Sequence, residues 1–390
     1  MQKAARGRGG AGRGPWAAAG LAVTGRRYRG CVPSHVPSHV PSHVFAHRAA
    51  PVGPAGHVLL ARGAREIQEN DLLAPGATRA IGAGDRATWE EPDPFRTCFE
   101  RDLDRIQHSH SFRRLAGKCQ VFIAPEDDHL RTRLTHAVEV AQVAVGIARP
   151  AGLNVALTAA AAMGHDCGHG PAGHASEEAL SPFVEGGYHH AVYGADVTLA
   201  PLNLCVQTLD AIRNHSWNRP APSTPEGEVV AWADRIAYVC HDFEDAVRAR
   251  VVEPQDLPAE VVEVLGTRRS AQLDRLIGAV FTTIAETGTV GMAADEAAAM
   301  DAFRSFNFER IYLRPASVRQ AEKVIEVLRA LTDWFSHHPD RLGAGPQVAA
   351  GSGEAVALAV LHVSGMTDRY ALASAVEHLG WDRDKLPLAV

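Results

Sequence analysis

From Phe95 onward, apolar residues recur every three or four positions, the spacing of a single helix face. Phe99, Leu103 and Ile106 make one such row, and Leu134, Val138, Ala141, Val145 and Ala148 make another. An alanine-rich helix runs through Ala156-Leu157-Thr158-Ala159-Ala160-Ala161-Ala162. Thr224 and Pro225 supply an N-cap and a first-turn proline for a long helix over roughly 225–250. Further amphipathic stretches fall near 258–287, 294–306, 316–337 and 368–379. Strictly alternating runs, the mark of half-buried strands, are almost absent. The pattern predicts an all-α fold with one core from about 95 to 385, interrupted by a polar segment near 340–355.

The first 65 residues have no such periodicity. They contain GRGGAGRG and then VPSHVPSHVPSHVFAH, with His35, His39, His43 and His47 four residues apart. Pro33, Pro37 and Pro41 forbid a helix there, so these histidines cannot share a helical face. A metal-binding tract or an Arg-rich targeting peptide would fit the composition. The expected reading is plainer: a disordered extension, or a start codon set too far upstream. Residues 66–94, rich in Gly, Pro and Ala, read as an extended lead-in. Residues 1–94 are therefore expected to be a low-complexity, disordered extension and lead-in, and 95–390 the folded domain.

Charge and cysteine content narrow the function classes. Residues 1–65 hold ten Lys/Arg and no acid, which leaves 29 Lys/Arg against 45 Asp/Glu, a formal −16, on the remainder. So acidic a body makes nucleic acid an unexpected main partner, and a phosphorylated substrate would need local cations or a metal. Six cysteines are scattered without a C-x-x-C pair, as expected of a reduced, cytoplasmic protein. No run of about 18 apolar residues occurs, so no membrane span is expected.

The candidate chemistry gathers after the alanine-rich helix, in MGHDCGHGPAGHASEE (163–178). His165 and Asp166 are adjacent at the helix end. His136 lies on a predicted helix upstream and Asp234 on one downstream, separated from them by 29 and 68 residues. Imidazoles mixed with carboxylates suit Mn²⁺, Fe²⁺, Co²⁺ or Zn²⁺, and Mg²⁺ less naturally. So many ionisable groups would be costly to bury without a cation. A second His-Asp pair, His241-Asp242, shows that the dipeptide alone is weak evidence. Arg133 precedes His136 by three residues and projects from the same side of its helix. Arg235 adjoins Asp234. Asp234, Tyr238, His241, Asp242 and Asp245 form one stripe on the long helix, too polar for a core.

Several segments resemble the HD-domain deoxynucleoside triphosphate triphosphohydrolases, the dGTPase-like group. They are RTCFERDLDRIQHSHSFRRLAGKCQVF (96–122), RTRLTHAVEVAQVAVGIA (131–148), GHDCGHGPAGHASEEAL (164–180), DRIAYVCHDFEDAVRA (234–249), FNFERIYLRP (306–315) and GMTDRYAL (365–372). The resemblance covers about 95–373. It implies an HD-domain helical bundle with additional C-terminal helices, and a divalent metal held by His136, His165, Asp166 and Asp234. It also implies a dNTP substrate split into deoxynucleoside and tripolyphosphate, and homo-oligomers, hexamers among them. His174 and Glu177 become the proton-transfer pair, with a helix-capping carboxylate as the plainer role for Glu177. His169 would meet phosphate or water, Arg133 and Arg235 the triphosphate, and Tyr238 and Asp242 the sugar, with Asp242 alternatively holding Arg235.

One stretch departs from the group's pattern. In GGYHHAVYGADV (186–197), His190 fits the group's histidine, but Ala191 and Tyr193 replace polar neighbours. His190 retains a role in protonating the leaving oxygen, whereas nucleotide choice stays open. His215, in IRNHSWN, is a further candidate for the same cleft. Two alternatives also stay open: another HD nucleotide phosphohydrolase acting on a monophosphate, cyclic nucleotide or alarmone, and a weakly active nucleotide-sensing oligomer.

Overall fold

The structure is a computed structural model that describes residues 59–387 apart from 83, 124–126 and 344. The histidine-proline repeat lies outside these residues. Among the described residues there are fifteen α-helices and no strand; Cys119 and Thr132 form one isolated bridge. In chain order the helices are α1 (Arg62–Leu72), α2 (Cys98–His108), α3 (His110–Arg114), α4 (Arg133–Ala148), α5 (Val155–Gly164), α6 (His174–Leu180), α7 (His190–Tyr193) and α8 (Val206–Arg213). They continue with α9 (Pro225–Arg248), α10 (Ala259–Leu265), α11 (Arg269–Thr287), α12 (Ala294–Asn307), α13 (Pro315–His337), α14 (Gly353–Gly365) and α15 (Asp368–Leu379). No helix of the described residues is long and apolar enough to cross a membrane.

Helix starts follow capping chemistry. Thr97 and Glu100 form a reciprocal capping box on α2, Thr132 caps α4, and Thr224 accepts from Gly227 N–H at the start of α9. Asn154 accepts from Leu157 N–H and so starts α5. Each such cap is worth about 1 kcal/mol.

The alanine run now has a physical reason. α5 lies at the centre, with α2, α4, α8 and α9 all packed on it. Ala160, Ala161 and Ala162 are wholly buried, and only side chains that small let four helices approach one axis. Larger residues on the surrounding helices, Ile106, Ile147, Ile212 and Ile236, close the core around them. Each contributes roughly 1.5–3 kcal/mol by burial. A second core joins α13, α14 and α15 to α6 through Leu328, Leu331, Val363 and Leu180.

Three features differ from the pattern-based expectation. The lead-in expected over residues 66–94 begins as a helix, Arg62–Leu72, and only the stretch after it lacks regular structure. The apolar pattern misses α1 because its inward face is charged: Glu66 is buried against Arg62 at 2.8 Å, and Glu69 accepts from Ala80 N–H at 2.6 Å. Downstream, Thr78 donates through N–H and hydroxyl to the buried Glu226 at 3.0 and 2.7 Å, and Arg86 pairs with buried Asp102 at 2.7 Å. The stretch 258–287 divides into α10 and α11 at Gly266, whose φ of +82° ends the first helix. α14 escapes notice because Ala355–Val363 is apolar on nearly every side, which leaves no stripe to read.

Candidate active site

Four side chains from three helices meet at the C-terminal tip of α5. His136 comes from the first turn of α4, His165 and Asp166 from the tip itself, and Asp234 from the third turn of α9. His136 Nε2 lies 3.0 Å from Asp234 Oδ1, and His165 Nε2 lies 3.7 Å from the same oxygen and 3.5 Å from Asp166 Oδ1. His165 Nδ1 donates to the Ala162 carbonyl at 2.6 Å. That bond fixes the tautomer and turns the Nε2 lone pair toward the two carboxylates, the usual way a ligand histidine is held. His165 Nε2 is buried with no hydrogen-bond partner, as a donor atom reserved for a cation would be. Burial pushes the Asp166 carboxyl up, but Arg133, His165 and His169 outweigh it and hold it well below the usual carboxylate range. Asp234 is likewise held low, against its burial, by its hydrogen bond to His136 and the nearby histidines. The two ionised carboxylates and two imidazoles form a donor set that fits a divalent cation.

Arg133 is buried and donates to Asp166 Oδ2 at 2.7 Å. His169 Nε2 lies 3.2 Å from the other Asp166 oxygen. The loop then bends sharply at Ala172 and Gly173, with φ of +58° and +60°. The positive φ favours glycine at 173, and a Cβ there would also run into the Arg133 guanidinium behind it.

Past this bend, α6 presents His174 and Glu177 on adjacent turns. One Glu177 oxygen is 3.0 Å from His174 Nδ1; the other accepts from His190 N–H at 2.8 Å and lies 2.6 Å from His190 Nδ1. With so many donors, Glu177 stays ionised well below the usual range despite its burial. His190 is buried and stacks on His169 at 3.7 Å between ring centroids. Its Nε2 meets His215 Nε2 at 3.2 Å, while His215 Nδ1 donates to the Ile212 carbonyl at 2.8 Å. Burial drives His215 down to about 3, so the ring is neutral. His174 is different: its side chain is 75% exposed and opens onto the cleft. Ala191 is buried and carries no polar function here.

His136, Asp166 and Asp234, with Glu177, His174 and His190, line one cavity of about 580 Å³, and His165 lies behind its wall. Tyr238, Asp242, Arg235 and Tyr312 form its far wall. Asp242 does not hold Arg235. It accepts from the Tyr312 hydroxyl at 2.7 Å, and burial raises its carboxyl to about 7. The Arg235 guanidinium lies over Trp217 at 3.5 Å from the ring centroid. The polar stripe of α9 outruns the cleft: His241 meets Glu139 at 3.1 Å, and Asp245 accepts from Arg131 N–H at 2.9 Å. These two serve the contact between α4 and α9 and do not face the cavity.

Tyr312, Trp217 and Arg304 were missed as individual cleft residues by sequence reasoning. Tyr312 lies within FNFERIYLRP, in a π-helical turn, Phe308–Tyr312, that continues α12; such turns gather at functional sites. Nothing in local spacing marks Trp217 or Arg304.

The class of protein follows from the helical fold and two family matches. Residues 133–239 match the HD domain, and residues 290–377 match the phosphohydrolase-associated domain. The chain is 41% identical over 318 residues to a deoxyguanosinetriphosphate triphosphohydrolase-like protein of Caldanaerobacter subterraneus subsp. tengcongensis, covering 79% of this chain and 93% of that protein. A protein of the same description from Desulfatibacillum aliphaticivorans is 36% identical over 334 residues, covering 79% and 94%. One from Clostridium perfringens strain 13 is 40% identical over 264 residues, covering 64% and 77%. The chain belongs to the deoxyguanosinetriphosphate triphosphohydrolase-like family of HD-domain phosphohydrolases.

Proposed function

We propose that this chain hydrolyses deoxynucleoside triphosphates to deoxynucleoside and tripolyphosphate, with a divalent cation held by His136, His165, Asp166 and Asp234. The observation that carries the reading is that Asp234 stands beside both His136 and His165, and Asp166 beside His165, while His136, Asp166 and Asp234 share the wall of one cavity with Glu177, His174 and His190. Its volume of about 580 Å³ suits a nucleotide-sized ligand. When bound, the cation supplies Lewis-acid polarisation of a phosphoryl oxygen and acidification of water.

The chain's own residues do the rest. With Nδ1 turned to Glu177, His174 offers Nε2 to the cleft, where it exchanges a proton with the attacking water or the departing 5′-oxygen. The new bond joins water oxygen to the α-phosphorus, the bond to the 5′-oxygen breaks, and that oxygen takes up a proton. His190, anchored by the same carboxylate, is the second proton carrier. Arg235 and His169 bind phosphate oxygens. Arg133 acts on the polyanion through its contact with Asp166. Tyr238 and Asp242 meet the deoxyribose, and their close wall with Tyr312 disfavours a ribose 2′-hydroxyl. The active form is a homo-oligomer located in the cytoplasm, which sedimentation and fractionation would test.

The deciding experiment incubates purified protein with each dNTP and Mn²⁺ or Mg²⁺ and separates the products. Deoxynucleoside with tripolyphosphate is expected. Orthophosphate or pyrophosphate would instead assign the chain to another HD phosphohydrolase chemistry, and no turnover with any metal would leave a nucleotide sensor.

A further inference from the structure

The loop that joins α5 to α6 carries His169 and ends at His174; its own hydrogen bonds, among them Gly170 N–H to Ser176 Oγ at 3.0 Å and Gly173 N–H to the Gly170 carbonyl at 3.3 Å, are joined by contacts from distant segments. Ala172 holds a left-handed backbone, φ +58°, which a residue with a side chain adopts only when its surroundings impose it. The imposing group comes from far along the chain. Asp368, the first residue of α15, is buried; one carboxylate oxygen accepts from Ala172 N–H at 2.8 Å and the other from Cys119 N–H at 2.9 Å. Lys118, next to Cys119, is equally buried. Its ammonium donates to the His169 carbonyl and, at 2.8 Å, to the Ser364 carbonyl in the last turn of α14. The Lys118 carbonyl in turn accepts from Arg133 N–H at 2.9 Å, at the start of α4.

We propose that Asp368 and Lys118 are positioning residues that hold the loop in its working shape. The α14–α15 pair of the phosphohydrolase-associated segment thereby sets where His169 and His174 stand. The arrangement is a clamp with two arms. Asp368 grips the strained bend through an amide, and Lys118 grips the residue three positions earlier through a carbonyl. Both arms end in the 364–368 connection between α14 and α15. Neither residue lines the cleft, so their effect on chemistry passes through the loop. This inference rests on the cleft roles given to His169 and His174 above.

The test uses the full chain with Asp368→Asn. Asparagine keeps the size, but its NH₂ must face one of the two N–H donors, so one grip is lost. Hydrogen exchange followed by mass spectrometry should show peptides over 166–176 exchanging about tenfold faster, with α4 and α9 unchanged. Because a small misplacement of proton carriers slows chemistry more than binding, kcat for the preferred dNTP should fall about 10- to 100-fold while KM stays within about threefold. Lys118→Met, which removes the ammonium but keeps the stem, should do the same, and it decides the matter if Asp368→Asn does not fold. Folded variants with wild-type loop exchange, or with kcat within about twofold of wild type, would overturn the clamp. The exchange measurement needs no turnover. Absence of dNTP hydrolysis by the unaltered chain would therefore defeat the proposed function while leaving the clamp to be judged separately.

Discussion

The Tyr312 hydroxyl donates to Asp242 Oδ2 over 2.7 Å and so ties the π-helical turn after α12 to the helix that carries Asp234. Asp242 needs that donor, because its carboxyl is buried and its other oxygen has no hydrogen-bond partner in the protein. Burial raises its carboxyl to about 7. The folded chain then keeps a proton that the unfolded chain has lost above about pH 4. Stability is therefore expected to fall as pH rises from about 4 to about 7 and to level off above. Asp242→Asn should remove this slope, giving a variant more stable than wild type above pH 7 by up to about 4 kcal/mol. Urea unfolding of both proteins in chelator, across this pH range, measures the difference. Parallel curves would contradict a raised Asp242.

The cation site gives a second expectation. Asp166 faces His165, His169 and Arg133 at once. Asp166→Ala should abolish Mn²⁺ binding in calorimetry together with turnover. For the unaltered chain, saturating Mn²⁺ after chelation should raise the thermal midpoint; an ion at 100 times its dissociation constant adds about 2.7 kcal/mol. A midpoint indifferent to metal would count against the donor set.

Glu177 organises two histidines, so its loss should exceed that of either alone. In Glu177→Gln the amide cannot accept from both His174 and His190, and its NH₂ opposes one of their N–H groups. A fall in kcat of about 10²- to 10⁴-fold is expected, with little change in KM and a shifted pH–rate profile. Steady-state kinetics between pH 6 and 9 would reveal it.

Gly173→Ala tests the bend directly. Its added methyl would meet the Arg133 guanidinium, and its backbone would be strained at φ +60°. A destabilisation of about 2–3 kcal/mol is expected, together with a loss of activity because Arg133 is displaced from Asp166. Thermal unfolding and turnover are the two measurements; an unaffected midpoint would rule out this close packing.

Much of this architecture is written in local spacing. The row through α2, the Thr224–Pro225 start of α9 and the His-Asp tip of α5 can be read from neighbours along the chain; the row read on α4 was misplaced, because Val138 is exposed and the buried face runs through Ala137, Val140, Ala144 and Ile147. What spacing hides is contact between distant segments. His190 and His215 are 25 residues apart, and only the fold brings their rings together. Tyr312 reaches Asp242 across 70 residues, and Asp368 reaches Cys119 across 249. α1 was hidden for another reason: its inward side is built from Arg62, Glu66 and Glu69, so hydrophobic periodicity cannot see it.

The buried Glu226 at the start of α9 bears on how the molecule can be shortened. Its carboxylate is satisfied by Thr78 on the N-terminal side and by Asn154 N–H at 2.9 Å. A chain trimmed to begin at Phe95, where the helical pattern opens, would lose the Thr78 donors and leave that charge short of partners inside the protein. The smallest soluble version for crystallisation should therefore begin near Leu59, ahead of α1, rather than where the amphipathic rows first appear.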